Sequence, residues 1–186
     1  DGHGEGGLMR HVPRFDHPVT APELRLCLRM NRYGAAPAVR RGFAFVSRLG
    51  DGVLWYALML LLPLFDGLAG LHASLHLAFV GLIALGLYRG LKHCTQRPRP
   101  FARHRSITAH IAPLDEFSFP SGHTLHAVAF TLVATHYYPA LGLVLWPFAI
   151  LVALSRVVLG LHYPSDVLAA TVIALGLARG SIAFIA

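Results

Sequence analysis

The sequence predicts an all-α protein: a polytopic membrane helix bundle of about five transmembrane helices, preceded by basic amphipathic interfacial helices. Three observations carry that expectation. Of the 186 residues, 55% are hydrophobic and only 13% charged, against roughly 25% charged in an ordinary soluble domain. Apolar runs recur near 53–71, 73–91, 121–138, 139–159 and 165–186, each close to the ~20 residues that cross a hydrocarbon core. In lipid a helix satisfies its own backbone hydrogen bonds, so helix is the default for every run.

At this length the chain is one domain with a short appendage. Residues 1–50 read as an N-terminal tail with interfacial helices, and 51–186 as the transmembrane domain. The first 20 residues, dominated by Gly, His and Pro, read as an irregular tail that includes His3 and His11. The start at Asp1, DGHGEGG, reads as a trimmed end, and no signal peptide is visible because the first apolar run follows residue 50. From Glu23 to Tyr33 the pattern is a two-faced helix, with Arg25, Arg29 and Arg32 on one side and Leu24, Cys27 and Leu28 on another. Pro37 opens a second, with Val39, Phe43 and Val46 inward and Arg40, Arg41 and Arg48 toward water. Arginines this frequent exclude a span and suit a bilayer surface.

Lys and Arg outnumber Asp and Glu by 16 to 9. That excess fits loops facing anionic lipid, or phosphate binding. Nucleic acid is excluded as a partner, because the basic residues interrupt apolar spans and form no aromatic-interleaved patch. Cys27 and Cys94 give neither a disulfide framework nor zinc spacing.

Five spans impose a topology. The end of span 2, the start of span 3 and the turn between spans 4 and 5 fall on one side, where the polar residues cluster. The first reads LKHCTQRPRPF, with Lys92 and Arg99 ahead of Pro100; the second FPSGHT; the third SRVVLGLHYPSD, with Ser155, Arg156, His162 and Asp166. A lone cation at a helix end snorkels to the interface. Three cations converging from separate elements make a phosphate cradle, Arg as a fork and Lys as a point charge.

Pro120-Ser121-Gly122-His123 stands at the mouth of the third run. Ser121 suits an N-cap, and Gly122 leaves the backbone open to close approach. The free N–H groups and positive dipole end of that helix form an anion site. Pro164 suits the first turn of the last helix. Asp166, four residues after His162, is then placed to reach one ring nitrogen and leave the other lone pair free. A structural His–Asp cap is the competing reading. Nucleophile His162, orienting Asp166, acid His123 and cationic cradle together describe phosphoryl transfer through a phosphohistidine.

The patterns K-x6-R-P, P-S-G-H and S-R-x5-H-x3-D resemble the three signature motifs of the type 2 phosphatidic acid phosphatase (PAP2) superfamily. Every signature position is filled, over about 75 residues and in the family's order. The resemblance implies a metal-independent phosphatase of lipid phosphates or diphosphates that needs no cofactor. It implies His162 as nucleophile, His123 as general acid and Asp166 as its helper, with Lys92, Arg99, Ser121, Gly122 and Arg156 on the phosphoryl group. Undecaprenyl diphosphate, phosphatidic acid and phosphatidylglycerol phosphate are reasonable substrates.

The alternative is a lipid-linked phosphotransferase using the same intermediate. A vanadium haloperoxidase fits five spans poorly, and the intact His162–Asp166 pair argues against a dead scaffold. Integral members commonly have six spans, and this chain shows basic amphipathic helices where the first would be. The implied location is a bacterial inner membrane, among membrane lipids. The eight N-terminal arginines, Arg10 to Arg48, favour a cytoplasmic-facing site by the positive-inside rule, against the family's frequent outer-face placement. His126 is expected to pack between helices, His104 and Arg105 to sit in a solvated loop, and Asp66 to lie at the interface. Asp115 and Glu116 could orient Arg or Lys side chains nearby, but neither is counted among the site residues.

Overall fold

The computed structural model describes residues 19–185. Most of the expected N-terminal tail, including His3 and His11, lies outside the described residues. Within them the protein is all-α, and the single β-type pairing is an isolated antiparallel bridge between Pro98 and Phe117.

Thr20 caps α1 (Ala21–Tyr33), its hydroxyl oxygen accepting the Glu23 N–H at 3.3 Å. The helix has the two faces read from its pattern: Arg25, Arg29 and Arg32 are exposed and Cys27 is buried. It packs against α6 (Gly142–Val158) and α7 (Pro164–Ile185). The amide of Asn31 donates to the carbonyls of Thr108 at 2.9 Å and Val158 at 3.1 Å, which ties the helix to the bundle. The second amphipathic helix, α2 (Pro37–Arg48), does not stand apart. It runs through a π turn at Leu49–Val53 into α3 (Leu54–Thr95), bending at Gly52, whose φ of 136° a residue with a side chain rarely adopts.

Nor is α3 one rod. Asp66 and Gly67 leave helical geometry, and the Ser74 hydroxyl donates to the Met59 carbonyl at 2.7 Å. A straight helix would hold residues fifteen apart about 22 Å from each other. The arms 54–65 and 68–95 therefore fold back as an antiparallel hairpin. They meet at Gly70, where a Cβ would lie 2.0 Å from the Leu62 carbonyl oxygen. Asp66 sits at the reversal, accepting from the Tyr138 hydroxyl at 2.7 Å.

After the short α4 (Pro100–Arg103), the chain enters α5 (Gly122–Tyr137), the central helix, packed against α3, α6 and α7. Its Ala127, Ala129 and Ala134 are fully buried, as are Ala170, Ala174 and Ala178 of α7. The 4-residue spacing in α7 puts its small side chains on one face, which lets helix backbones approach closely, as lipid-embedded helices do. Outward lie Phe65, Leu68, Leu143, Leu168 and Phe184, all strongly exposed.

The expectation of an all-α bundle with apolar helices holds, and the count of five spans is not shown. Three stretches among the described residues are long and apolar enough to cross a membrane: Pro37–Thr95, Pro139–Val158 and Pro164–Ile185. The first expected span, 53–71, is cut short by the reversal at 66–67, because a Gly-containing break inside an apolar run leaves no mark on hydrophobic periodicity. The third is a helix of 16 residues, about 24 Å long against a core of about 30 Å.

Candidate active site

Three helices and the segments that follow two of them deliver the site. The C-terminal end of α3 supplies Lys92, the loop after it Arg99, the N-terminus of α5 Gly122 and His123, and the end of α6 with its following turn Arg156 and His162. All six line one cavity of about 810 Å³. The turn that presents His162 depends on Gly160, whose φ is +76° and where a Cβ would lie 2.4 Å from the Thr108 carbonyl oxygen.

The cations are buried, Lys92 to 5%, Arg99 to 2% and Arg156 to 2% exposure. Asp115, from the loop before α5, is their shared counter-ion. Both of its carboxylate oxygens accept from Lys92 Nζ at 2.6 Å, and Oδ1 also accepts from Arg99 Nη2 at 2.8 Å. Burial alone would raise the Asp115 carboxyl, but Lys92 and Arg99 hold it below its ordinary value. Arg99 also donates to the carbonyls of Asp115 at 3.0 Å and Leu161 at 2.9 Å. Arg156 donates from Nη1 to the Ser47 hydroxyl, while its Nε is buried with no hydrogen-bond partner among the described residues.

His162 Nδ1 lies 2.6 Å from the Ser118 carbonyl oxygen. A carbonyl only accepts, so Nδ1 carries the proton and Nε2 the lone pair. Nε2 is 3.3 Å from Arg99 Nη1, on the cavity side. Burial pushes the imidazole down, to about 3, with Arg99 and Arg156 adding and Asp166 opposing. The ring is therefore neutral, with its Nε2 lone pair on the cavity side accepting from Arg99 Nη1.

The expected direct bond from Asp166 to His162 is replaced. Asp166 Oδ2 stands 3.7 Å from Nδ1, beyond hydrogen-bond reach. Instead it accepts from the Ser118 hydroxyl and from the Tyr163 N–H at 2.7 Å. Ser118 thus lies between the pair, contributing a carbonyl to the histidine and a hydroxyl to the aspartate. Fourfold spacing places the two residues on adjacent turns but carries no information about a loop packed over them.

Ser121 is the N-cap of α5, accepting the Thr124 N–H, and is fully buried rather than on the cavity wall. Gly122 faces the cavity, and a Cβ there would meet the Tyr88 ring at an ordinary 3.4 Å. Its openness is therefore space toward the cavity, not a packing need. His126 lies between α5 and α3, its ring nitrogens 2.9 Å from the Gly122 carbonyl and 3.2 Å from that of Gly81.

Sequence reasoning missed Asp51, Ser118 and Arg97. The Asp51 carboxylate contacts His123 Nε2 from the π turn. Its one signal was a carboxylate between two glycines at the head of an apolar run. Arg97, the other arginine of QRPRP, donates to Asp166.

A family model for the PAP2 superfamily matches residues 70–186. The chain is 32% identical over 126 residues to an undecaprenyl-diphosphatase of Bacillus subtilis, covering 66% of this chain and 64% of that protein. It is also 32% identical over 129 residues to an undecaprenyl-diphosphatase of Sulfolobus acidocaldarius, covering 67% and 60%. The aligned part thus spans less than two thirds of either relative. Phosphatidylglycerophosphatase B of Haemophilus influenzae is 37% identical over 70 residues, 31% of this chain and 28% of that one. Among solved structures, Aquifex aeolicus LpxE superposes with a TM-score of 0.72 at 23% identity, covering 89% of this chain and 97% of that one. A transmembrane PAP2-type phosphatidylglycerolphosphate phosphatase from Bacillus subtilis gives 0.73 at 22% identity, covering 88% and 84%. At those identities the likeness is one of fold. Matching helices, motifs on one cavity and a family model over most of the chain agree: this protein belongs to the PAP2 superfamily.

Proposed function

We propose that the protein is a membrane phosphatase that hydrolyses a lipid phosphate or diphosphate through a phosphohistidine on His162, without a metal. The observation that carries this reading is the convergence of Lys92, Arg99 and Arg156 with His123 and His162 on one cavity, together with the unpartnered Nε of Arg156. Arg156 lines the cavity and its only side-chain acceptor among the described residues is the neutral Ser47 hydroxyl, so a phosphoryl group would add an anionic acceptor to a buried cation. The undecaprenyl-diphosphatase relatives support a polyprenyl diphosphate, and the phosphatidylglycerophosphatase likeness a glycerophospholipid phosphate.

In this reading His162 Nε2 attacks phosphorus in line, and the bond to the leaving oxygen breaks as His123 protonates it. Water then attacks the phosphohistidine and gives its proton to His123, and the P–N bond breaks. Lys92, Arg99, Arg156 and the backbone at Gly122 hold the equatorial oxygens, with Ser121 capping the helix that presents them. From these groups the cavity continues along Trp55, Met59, Leu82, Leu85 and Phe130, an apolar path suited to a lipid tail. In this reading residues 51–186 are the phosphatase domain, held in the membrane by α3, α6 and α7 around the shorter α5. The exposed arginines of α1 and α2 form a basic face before that domain, and the charge of residues 1–50 supports a cytoplasmic-facing site.

Phosphate release from undecaprenyl diphosphate, phosphatidic acid and phosphatidylglycerol phosphate in detergent with EDTA tests the reading. Wild type is expected to turn over at least one of them, and His162→Ala none. Release abolished by EDTA, or retained by His162→Ala, would defeat it. Cysteine accessibility across residues 101–119 tests the facing.

A further inference from the structure

Arg97 is 4% exposed, does not line the catalytic cavity, and belongs to none of the three motif positions. Its side chain is nevertheless spent on the groups behind the nucleophile. Nη1 donates to Asp166 Oδ1 at 2.5 Å and to the Ser165 hydroxyl at 2.7 Å. The guanidinium lies over the Tyr163 ring, 4.3 Å from its centroid. Its backbone acts on the same place: the Arg97 carbonyl accepts the Ser118 N–H at 2.8 Å, beside the bridge between Pro98 and Phe117.

Ser118 is the residue that holds His162, through its carbonyl at 2.6 Å. Its hydroxyl donates to Asp166. Arg97 therefore fixes Asp166 with its side chain and Ser118 with its main chain, and those two groups back the nucleophile. A buried Asp–Arg pair is retained only where geometry is good and the remaining lone pairs are satisfied. Here Asp166 meets that condition, since Arg97, Ser118 and the Tyr163 N–H occupy both of its oxygens.

The pair has a third member, from the N-terminal helix. Glu23 Oε2 lies 3.6 Å from Arg97 Nη2, and Oε1 accepts from the N–H of Ser165 at 3.1 Å and from its hydroxyl. Glu23 stands in the first turn of α1, well outside the residues that the family model matches. Its exposed arginines make α1 look like a surface anchor, yet its one inward carboxylate joins the network behind the site.

We propose that Arg97 is a positioning residue for the His162 nucleophile, and that Glu23 braces it, making α1 part of the working enzyme. The proposal rests on the phosphohistidine reading above. Arg97 meets no substrate atom; it sets the ring direction of His162 by fixing Asp166 and Ser118. A misplacement of about 1 Å at a reacting group can cost 10²-fold in rate, and the loss should fall on kcat rather than on KM.

The test compares full-length wild type, His162→Ala, Arg97→Gln, Arg97→Lys and Glu23→Gln in detergent, on whichever of the three lipid phosphates above wild type hydrolyses. Arg97→Gln is expected to lower kcat about 10²-fold with KM held within about twofold, and Arg97→Lys to restore part of the loss. Glu23→Gln should lower kcat about fivefold, as loss of one partly exposed ion pair would. An active wild type with normal kcat in Arg97→Gln overturns the positioning role while sparing the phosphatase reading. A raised KM with unchanged kcat overturns it as well, by making Arg97 a substrate contact. Should Arg97→Gln not elute as folded protein, Glu23→Gln decides, since an unchanged kcat there removes the brace. A wild type inactive on all three lipids fails both readings together.

Discussion

Two buried polar clusters share this apolar bundle, at opposite ends of α5, and they are built on opposite rules. Near the end of α5, His76 stands between Tyr137 Oη at 2.8 Å and Ser181 Oγ at 3.0 Å. Ser181 in turn donates to the Ala178 carbonyl at 2.9 Å. The protons run one way along that chain: Tyr137 to His76 Nδ1, His76 Nε2 to Ser181, Ser181 to a backbone oxygen. Each of these contacts has its complement, and nothing is left to bind. At the start of α5, Lys92 and Arg99 share the loop carboxylate Asp115, whose side chain is 40% exposed, Asp51 stands against His123, and Arg156 Nε has no partner among the described residues. A closed donor chain stabilises a fold. A buried cation without its acceptor, facing a cavity, is where a ligand's oxygen belongs.

The comparison breaks first at Arg156. Arg156→Ala is expected to lower kcat/KM for lipid phosphate by 10²-fold or more, the scale of losing one preorganised donor. Near-normal turnover would remove the cradle from the argument. A smaller effect sharpens the role of Asp115. Substrate oxygens must replace its carboxylate on Lys92 and Arg99, so Asp115→Asn should tighten inhibition by inorganic phosphate or vanadate. Loss of one partly exposed ion pair predicts about a fivefold gain. Weakened inhibition would instead make Asp115 a necessary orienter of the cations. Least change is expected at the other cluster. His76→Phe removes the acceptor of the Tyr137 hydroxyl and the donor to Ser181 and should cost about 2 kcal/mol in stability, read by thermal unfolding in detergent. Phosphate release should stay within about twofold, because the clusters are distant and share no partner. A large fall in turnover would show that the two ends of α5 are coupled.

Much of this was legible before any coordinates. Apolar runs mark helices in lipid whatever their neighbours do, and Lys92, Arg99, Gly122, His123, Arg156 and His162, each near the end of an apolar helix, reach one cavity. Less visible was the reversal at Asp66–Gly67, since both arms are apolar and periodicity passes straight through it. The continuity of α2 with α3 was hidden by the arginines, which read as an end to burial although they all lie on the outer face.

The amino-acid sequence by itself determined the helical class, the membrane setting and the chemical identity of the site, because each follows from residue type and from spacing along one or two turns. Only the tertiary structure decided how His162 is held. Asp166 faces Arg97 and Ser118 rather than His162 directly, Asp115 bridges two cations from a loop, and Glu23 reaches in from α1. Those contacts join residues far apart in the chain, and no local pattern encodes them: they exist only once the loops before α5 and the first helix are packed against the bundle.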